Sequence, residues 1–140
     1  MAQGSSRGPP IDHDSIRALV DPTVEETLRF SPAITVGMTR VDAAGVSAAV
    51  AFGLANRDPV VFQAPNRFDP TRTGPRHLSF GLGPHHCLGA ALMRAELRIA
   101  LTTLLTHLPG LRPAVEDDVL DWTSTTTVRG LSNLPLAWDR

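Results

Sequence analysis

The sequence contains a single cysteine, Cys87, and this scarcity excludes a whole class of small proteins. One cysteine cannot form a disulfide within the chain, so a secreted scaffold held together by internal disulfides is ruled out. A free thiol is also typical of proteins from a reducing compartment. We therefore expect a cytoplasmic protein.

Long apolar runs and clusters of one charge are missing as well. No stretch of about 18 apolar residues is present, and residues 1–10 lack the apolar centre of a signal peptide, which predicts a soluble chain that does not enter a membrane. The 13 basic and 14 acidic side chains leave a net charge of −1, without any basic block. We therefore expect neither nucleic acid nor a membrane among the partners.

The chain is long enough for one modest domain, with 140 residues of which 42% are hydrophobic. We expect residues 1–13 to form a disordered leader and residues 14–140 to form the domain. Apolar spacing, Pro and Gly predict these elements in chain order: helices over Asp14–Val20 and Pro22–Phe30, a strand or hairpin over Thr35–Phe52, an irregular segment over Gly53–Ser79, a long helix over Cys87–Leu108 and short β segments over Leu111–Arg140.

The most informative segment is the ten-residue run around the cysteine, residues 80–89, which reads Phe-Gly-Leu-Gly-Pro-His-His-Cys-Leu-Gly. Phe80, Gly83, Cys87 and Gly89 stand at the spacing of the haem-ligand loop of the cytochrome P-450 family, which this segment resembles. The resemblance implies that Cys87 is the axial ligand of a haem, iron protoporphyrin IX. It also implies that Phe80 lies against the haem face on the thiolate side.

The residue types in this loop suit that chemistry. A thiolate ligand pushes electron density onto haem iron and favours cleavage of the O–O bond. Gly83 and Gly89 have no Cβ, so we expect them to allow positive φ and a close approach of the backbone to a flat macrocycle. Cys87 should lie at or just before a helix N-terminus, where the helix dipole favours a thiolate.

From about Asp12 to Arg140 the order of features is similar to the C-terminal third of a soluble bacterial-type cytochrome P-450. The resemblance implies an α-rich fold with a minor β part (α+β), carrying the haem-binding portion of that fold. It implies a haem-thiolate monooxygenase, an oxidoreductase that inserts one atom of O₂ into a small apolar organic substrate. The electrons would come from a ferredoxin-type donor and its reductase.

A second group of residues resembles the structural network of the same family. Glu26 and Arg29 match its Glu-x-x-Arg helix, and a spacing of three puts both charges on one helical face. The resemblance implies that the side chain of Arg67 joins this pair through forked, charge-assisted hydrogen bonds. The role of these three residues would be structural.

The haem propionates require basic or hydrogen-bonding groups near the ring edge. By resemblance, His85 and Arg40 take this role, and His77 packs next to the cofactor. The segment Val41–Ala55 is shorter than the hairpin usual in the family and has no proline, which predicts that part of the β-sheet beside the haem edge is missing or mispaired.

The sequence leaves two alternatives to a monooxygenase. Nothing in the sequence resembles the part of the family that delivers protons to bound oxygen, so we expect a truncated segment with no catalytic residue beyond the haem ligand. The chain would then be a non-catalytic, haem-binding remnant. A zinc site of His77, His85, His86 and Cys87 is disfavoured, because adjacent residues cannot readily direct three ligands at one tetrahedral ion.

Overall fold

A computed structural model describes residues 13–37, 39–124 and 127–139. Within these residues the helices are α1 His13–Phe30, α2 Phe52–Ala55 and α3 Ala90–His107, with two 3₁₀-helices at Gly83–His85 and Asp117–Val119. The strands are short: β1 Arg40–Val41, β2 Ser47–Ala48, β3 Arg112–Pro113, β4 Trp122–Ser124, β5 Arg129–Leu131 and β6 Leu136–Ala137. Long helices with small sheets are the α+β architecture that the sequence predicted.

The strands form three separate antiparallel pairs, β1 with β2, β3 with β6, and β4 with β5. In the longest pair, Trp122 lies opposite Leu131 and Ser124 opposite Arg129. An isolated bridge pairs Ile34 with Val128. This bridge therefore links the segment after α1 to the C-terminal strands.

α1 continues without interruption through Pro22, where the sequence predicted a break between two helices. Proline inside a helix removes one backbone hydrogen bond, so a local signal favours interruption. Val20 and Val24, on either side of the proline, are nevertheless buried together against Leu97 and Leu101 of α3. Tertiary packing of one continuous apolar face outweighs the local preference.

The predicted boundary of a disordered leader at residue 13 was wrong by one residue. His13 already belongs to α1, and residues 1–12 lie outside the described residues.

The predicted strand over Thr35–Phe52 survives only as the hairpin of β1 and β2. Arg40 pairs with Ala48 and Val41 with Ser47, and the Asp42 carboxylate closes the turn by accepting hydrogen bonds from the amides of Ala44 (2.9 Å) and Val46 (2.8 Å). The chain then enters α2 at Phe52 instead of continuing as a strand. Weak alternation of small residues was too little to predict where the strand ends.

The apolar core lies between α1 and α3 and is small. Its fully buried members are Val20 and Val24, with Leu28, Leu97 and Leu101 packed around them. This contact places the N-terminal end of α3, and the cysteine loop before it, beside α1. No helix in the described part of the chain is both long enough and apolar enough to cross a membrane.

Candidate functional site

The loop that carries the cysteine is closed by its own backbone hydrogen bonds. The Cys87 amide donates to the carbonyl of Phe80 (2.8 Å), and the His86 amide donates to the carbonyl of Gly83 (3.0 Å). Gly81 and Gly83 have φ of 70° and 73°, a region that glycine enters without strain. These bonds and turns fix the position of Cys87 relative to Phe80.

Cys87 lies just before the N-terminus of α3, as predicted. The helix begins at Ala90, whose amide donates to the Cys87 carbonyl (3.2 Å), and Gly89 occupies the N-cap position. The thiol is free and exposed. An exposed sulfur beside a helix N-terminus can bind a metal ion that a cofactor carries.

The two predicted glycines play different parts. Gly83 has positive φ, and a Cβ at that position would meet nothing within 4 Å, so the backbone there presents an open surface. Gly89 has a φ of −80°, which any residue can adopt, and the expectation of positive φ at Gly89 was wrong. A Cβ on Gly89 would instead lie 3.8 Å from the Cys87 Sγ. Gly81, which the sequence analysis passed over, has the positive φ.

The surface around Cys87 suits a flat apolar cofactor. Leu82 is 80% exposed and Leu88 is fully exposed, so apolar side chains border the thiol on both sides along the chain. Gly83 adds backbone without a side chain. A lone thiolate donor, apolar neighbours and an open backbone fit a haem, which needs one sulfur ligand and a large apolar contact surface.

Phe80 is partly buried, and its ring is close to two histidine rings and one guanidinium group. Its ring centroid lies 5.8 Å from that of His77 and 6.3 Å from that of His86, and the Arg94 guanidinium carbon lies 4.7 Å from the ring centroid. Phe80 is therefore held in place behind the loop by residues of the chain itself.

The two residues predicted for the haem propionates are placed differently. His85 is exposed at the last position of the 3₁₀-helix, two residues before Cys87, where it can reach a bound group. Arg40 begins β1, but its side chain lies outside the described part of the structure. The propionate role of both residues stays a prediction.

Glu26 and Arg29 form a two-point ion pair on α1. Arg29 Nε donates to Glu26 Oε2 (2.7 Å) and Nη2 donates to Oε1 (2.8 Å), and the two residues are only 5% and 2% exposed. Arg29 Nη1 also donates to the carbonyls of Asn56 (2.8 Å) and Pro65 (3.0 Å). One guanidinium thus joins α1 to the irregular segment that follows α2.

Arg67 enters this network through its backbone, which corrects the predicted use of its side chain. Its carbonyl accepts hydrogen bonds from Nη2 of Arg29 (3.2 Å) and from Nη2 of Arg72 (3.0 Å). The second guanidinium at Glu26 belongs to Arg72, with Nε 3.4 Å from Oε1. Arg72 was missed because it lies far from Glu26 in the chain and no local spacing indicates the contact.

The surroundings of Glu26 favour its charged form. Burial by itself would raise the pKa of this carboxyl, but hydrogen bonds from Arg29 and from the Asp69 amide, with the charges of Arg29 and Arg72, lower the pKa below its ordinary value. Glu26 is therefore a buried anion that the fold stabilises, which suits a structural and not a catalytic role.

Asn56 connects the network to the cysteine loop and is completely buried. Its Nδ2 donates to the Ser79 hydroxyl (2.8 Å) and its Oδ1 accepts from the Leu78 amide (2.7 Å). The Ser79 hydroxyl in turn donates to the Leu28 carbonyl on α1 (2.6 Å). Asn56 lies in the segment Gly53–Ser79, for which the sequence predicted only irregular structure, because nothing local distinguishes a buried asparagine from an exposed one.

His77 is buried beside Phe80, in agreement with a packing role. Its Nδ1 accepts a hydrogen bond from the Ser79 amide (3.2 Å). Its Nε2 lies 3.2 Å from Glu25 Oε2. Nε2 is nevertheless without a hydrogen-bond partner of suitable geometry among the described residues. Burial lowers the pKa of His77, and the Glu25 charge only partly opposes this. His77 is therefore favoured as a neutral imidazole.

The zinc alternative gains no support from the geometry. Within the described residues, no group of three or more His, Cys, Asp or Glu side chains comes together closely enough to hold a metal ion.

Comparison with known proteins identifies the family of this chain. The sequence model of the family "Cytochrome P450" matches residues 2–116. This match starts before Asp12 and ends before Arg140, the limits that we expected from the sequence. The match falls on the N-terminal part of this chain and does not by itself say which part of a whole cytochrome P450 the chain represents.

Curated relatives are bacterial cytochromes P450. Cytochrome P450 107B1 of Saccharopolyspora erythraea is 40% identical over 85% of this chain and 32% of its own length. Nocardicin C N-oxygenase of Nocardia uniformis is 41% identical over 86% of this chain and 33% of its own length. The chain therefore spans about a third of the length of these relatives.

A solved structure shows the same fold. The P450 monooxygenase TamI, determined with tirandamycin C bound, superposes with a TM-score of 0.83 at 34% identity, covering 88% of this chain and 34% of TamI. Most of this chain thus shares its backbone arrangement with part of an experimentally determined P450. With the family match and the identity to curated members, the conclusion is that this chain belongs to the cytochrome P450 family.

Proposed function

We propose that this chain is the haem-binding portion of a monooxygenase and that Cys87 is the axial ligand of the haem iron. The observation that carries the proposal is the free, exposed thiol held before α3 by a loop closed between Phe80 and Cys87. Such a loop presents one sulfur in one position. Haem-thiolate chemistry requires this arrangement.

Each part of the site has a separate task in this proposal. Cys87 supplies the ligand, Gly83 keeps the backbone low enough for the macrocycle to lie close, and Phe80 packs on the thiolate side. His85 and Arg40 are proposed to meet the propionates. The buried Glu26–Arg29 pair, extended by Arg72 and Asn56, holds the segment that leads into the loop.

The bound haem would supply the iron at which O₂ is reduced by two electrons, with one oxygen atom going to an organic substrate and the other to water. A ferredoxin-type protein and its reductase are proposed as the electron source, and a small apolar compound as the substrate. One of the relatives, Nocardicin C N-oxygenase, is named for an oxygenation, which supports an oxygenase reaction for the protein to which this chain belongs.

The place of the chain within a whole P450 is part of the proposal. Residues 14–140 are proposed to correspond to the C-terminal third, because the Glu-x-x-Arg helix, an irregular segment, the cysteine loop, a long helix and short hairpins follow one another in that order. A cytoplasmic location is proposed with it, in keeping with a free thiol that must stay reduced.

A second function, haem binding without oxygenation, is favoured by the small amount of buried apolar structure in the described chain. Oxygen insertion requires water to be kept away from the reacting oxygen. The buried apolar residues among those described are Val20, Val24, Phe62 and Ala90, which is little apolar structure with which to enclose a reacting oxygen. Under this second function the chain would consume reducing equivalents and release superoxide or peroxide without oxygenating a substrate.

The experiment is an absorption spectrum of the purified chain after addition of haem, reduction and exposure to carbon monoxide. We expect a Soret shift typical of thiolate ligation in the wild type, and its loss in Cys87→Ala. His85→Ala is the matched variant, because it should bind haem more weakly while keeping the thiolate spectrum. Identical spectra for wild type and Cys87→Ala would reject the proposed ligand.

The two functions are separated by product analysis on the same haem-loaded sample. The chain is supplied with ferredoxin, reductase and a panel of apolar compounds, and both reducing equivalents consumed and product formed are counted. Coupled product formation supports the monooxygenase. Consumption without product supports haem binding alone.

A further inference from the structure

Arg94 on α3 forms a two-point ion pair with α1, outside the apolar core. Its Nε and Nη2 donate to the two carboxylate oxygens of Glu25 on α1, the second at 3.1 Å. A two-point pair of this kind fixes the guanidinium plane as well as its position. In agreement, hydrogen bonding between the two groups raises the pKa of Arg94 and lowers the pKa of Glu25.

The same guanidinium also contacts the first residue of the cysteine loop. Its carbon lies 4.7 Å from the centroid of the Phe80 ring, within the range of a cation–π contact. Because Glu25 orients the guanidinium, the ring meets a cation that is already held in place. Phe80 is therefore fastened to both α1 and α3.

Phe80 in turn sets the position of the ligand through its backbone. Its carbonyl accepts the hydrogen bond from the Cys87 amide (2.8 Å). A shift of the Phe80 ring would move this carbonyl and the end of the loop that it closes. The contacts thus run without a gap from Glu25 to Arg94, to Phe80 and to Cys87.

We propose that Arg94 is a positioning residue that holds Phe80, and through the Phe80 carbonyl the backbone of Cys87, at the place from which the thiolate meets the haem. This inference rests on the proposed function, since it assigns Arg94 a role in the ligation by Cys87. Arg94 itself is not proposed to touch the cofactor.

The chain offers a matched control one helical turn further along α3. Arg98 also bridges the two helices, through an ion pair with Asp21 of α1, but no contact of Arg98 with an aromatic ring is found among the described residues. Replacing Arg98 removes an ion pair between the helices, whereas replacing Arg94 removes an ion pair and the hold on Phe80. The difference between the two variants isolates the contact with Phe80.

The test is amide hydrogen exchange, measured residue by residue on the chain without haem. In Arg94→Met we expect the Cys87 amide to exchange about three- to fivefold faster, the factor that corresponds to losing one partly exposed cation–π contact. The Leu108 amide, which donates to Leu104 at the other end of α3 (2.9 Å), should not change. Arg98→Met should leave the Cys87 amide as it is in the wild type.

Two outcomes would overturn the proposal at this stage. One is an equal effect of Arg94→Met and Arg98→Met on the Cys87 amide. The other is equal acceleration at Cys87 and Leu108, which would show general loosening of α3. Because no haem is present, a failure of the proposed function would not produce either result.

A double-mutant cycle and a spectrum complete the test. In a Phe80→Leu background, Arg94→Met should no longer accelerate exchange at Cys87, since the ring that transmits the effect is gone. In the haem-loaded chain, Arg94→Met should reduce the fraction with a thiolate-type carbon monoxide spectrum, and Arg94→Lys should restore part of it. Persistence of the Arg94→Met effect without Phe80, or a spectrum like that of Arg98→Met, would contradict the role.

Discussion

Two regions of this molecule differ in burial and polarity in the opposite way to most proteins: one is polar and mostly buried, and the other is apolar and exposed. The first, which we term the polar brace, is hydrogen-bonded and consists of the buried Glu26, Arg29 and Asn56 with the partly buried Arg72 and Ser79. The second, the cysteine face, is exposed and largely apolar and consists of Leu82, Cys87, Leu88, Leu92 and Ile99. The most deeply buried large side chain in the described chain is an asparagine, while several leucines face solvent.

This contrast shows which region gives the chain its shape. Buried polar groups have strict geometric requirements, so a satisfied network specifies one arrangement of the segments that it joins. The brace holds α1, the irregular segment and the entry to the cysteine loop together. The cysteine face makes few contacts of its own, and its apolar surface is available to a haem or to other polypeptide.

The largest expected loss comes from removing the central guanidinium of the brace. Arg29→Met would leave the buried Glu26 carboxylate with only Arg72 and the Asp69 amide beside it, and breaking a buried pair in this way costs about 3–5 kcal/mol of unfolding free energy. Arg67→Met is the control, because the side chain of Arg67 makes no hydrogen bond or ion pair among the described residues and its carbonyl would remain. Urea denaturation should separate the two variants clearly, and equal losses would refute the arrangement.

A smaller loss is expected at the asparagine that joins the brace to the cysteine loop. Asn56→Ala would leave the Leu78 amide and the Ser79 hydroxyl without their buried partner, which costs about 2 kcal/mol. Asn66→Ala is the matched control, since its side chain accepts one exposed hydrogen bond from Arg57. If the two alanine variants unfold at the same urea concentration, Asn56 has no bracing role.

The residues in these two predictions also show which contacts could be predicted from the sequence and which could not. Cys87 and its loop could be predicted because a family pattern is written in consecutive residues, and Glu26 with Arg29 because helical spacing puts them on one face. Arg72 and Asn56 could not, because their partners lie more than twenty residues away along the chain. Contacts of that kind depend on how the irregular segment folds over α1, which no local pattern encodes.

The same reasoning explains the errors in secondary structure. The break predicted at Pro22 failed because Val20 and Val24 share one buried cluster, a tertiary effect that overrides local preference. The prediction of positive φ at Gly89 was wrong because a glycine in the sequence indicates that positive φ is possible, but not which glycine adopts it. Gly81, two positions before Gly83, adopts it instead.

The brace borders on a buried histidine that should make stability depend on pH. Burial lowers the pKa of His77 below its ordinary value of 6.5, so the unfolded chain takes up the proton more readily than the folded chain. Stability should therefore fall as the pH drops below about 6.5 and level off below the folded pKa. Glu25, Arg94 and Arg29 are the charged groups whose fields also act on His77.

Urea denaturation between pH 7 and pH 5 tests this dependence, above the range in which Glu25 and Glu26 titrate. His77→Asn removes the titrating ring while keeping an acceptor for the Ser79 amide, and it should flatten the decline. His107→Asn, at the exposed end of α3, should preserve it. A decline of equal size in His77→Asn would assign the effect to other groups.

The smallest effect is expected on the cysteine face. Leu88→Ser and Ile99→Ser replace exposed side chains and should change the unfolding free energy of the haem-free chain by no more than about 0.5 kcal/mol. Leu97→Ser, on the buried side of the same helix, should destabilise strongly. Comparable losses in all three variants would show that the cysteine face is packed and not available to a ligand.

The central claim is that the sulfur of Cys87 binds haem iron, and X-ray absorption at the iron edge of the haem-loaded chain tests it most directly. We predict one sulfur bonded to iron in the wild type and in Arg98→Met, and none in Cys87→Ala. A spectrum with only nitrogen and oxygen around the iron in the wild type, or an unchanged sulfur signal in Cys87→Ala, would contradict the account.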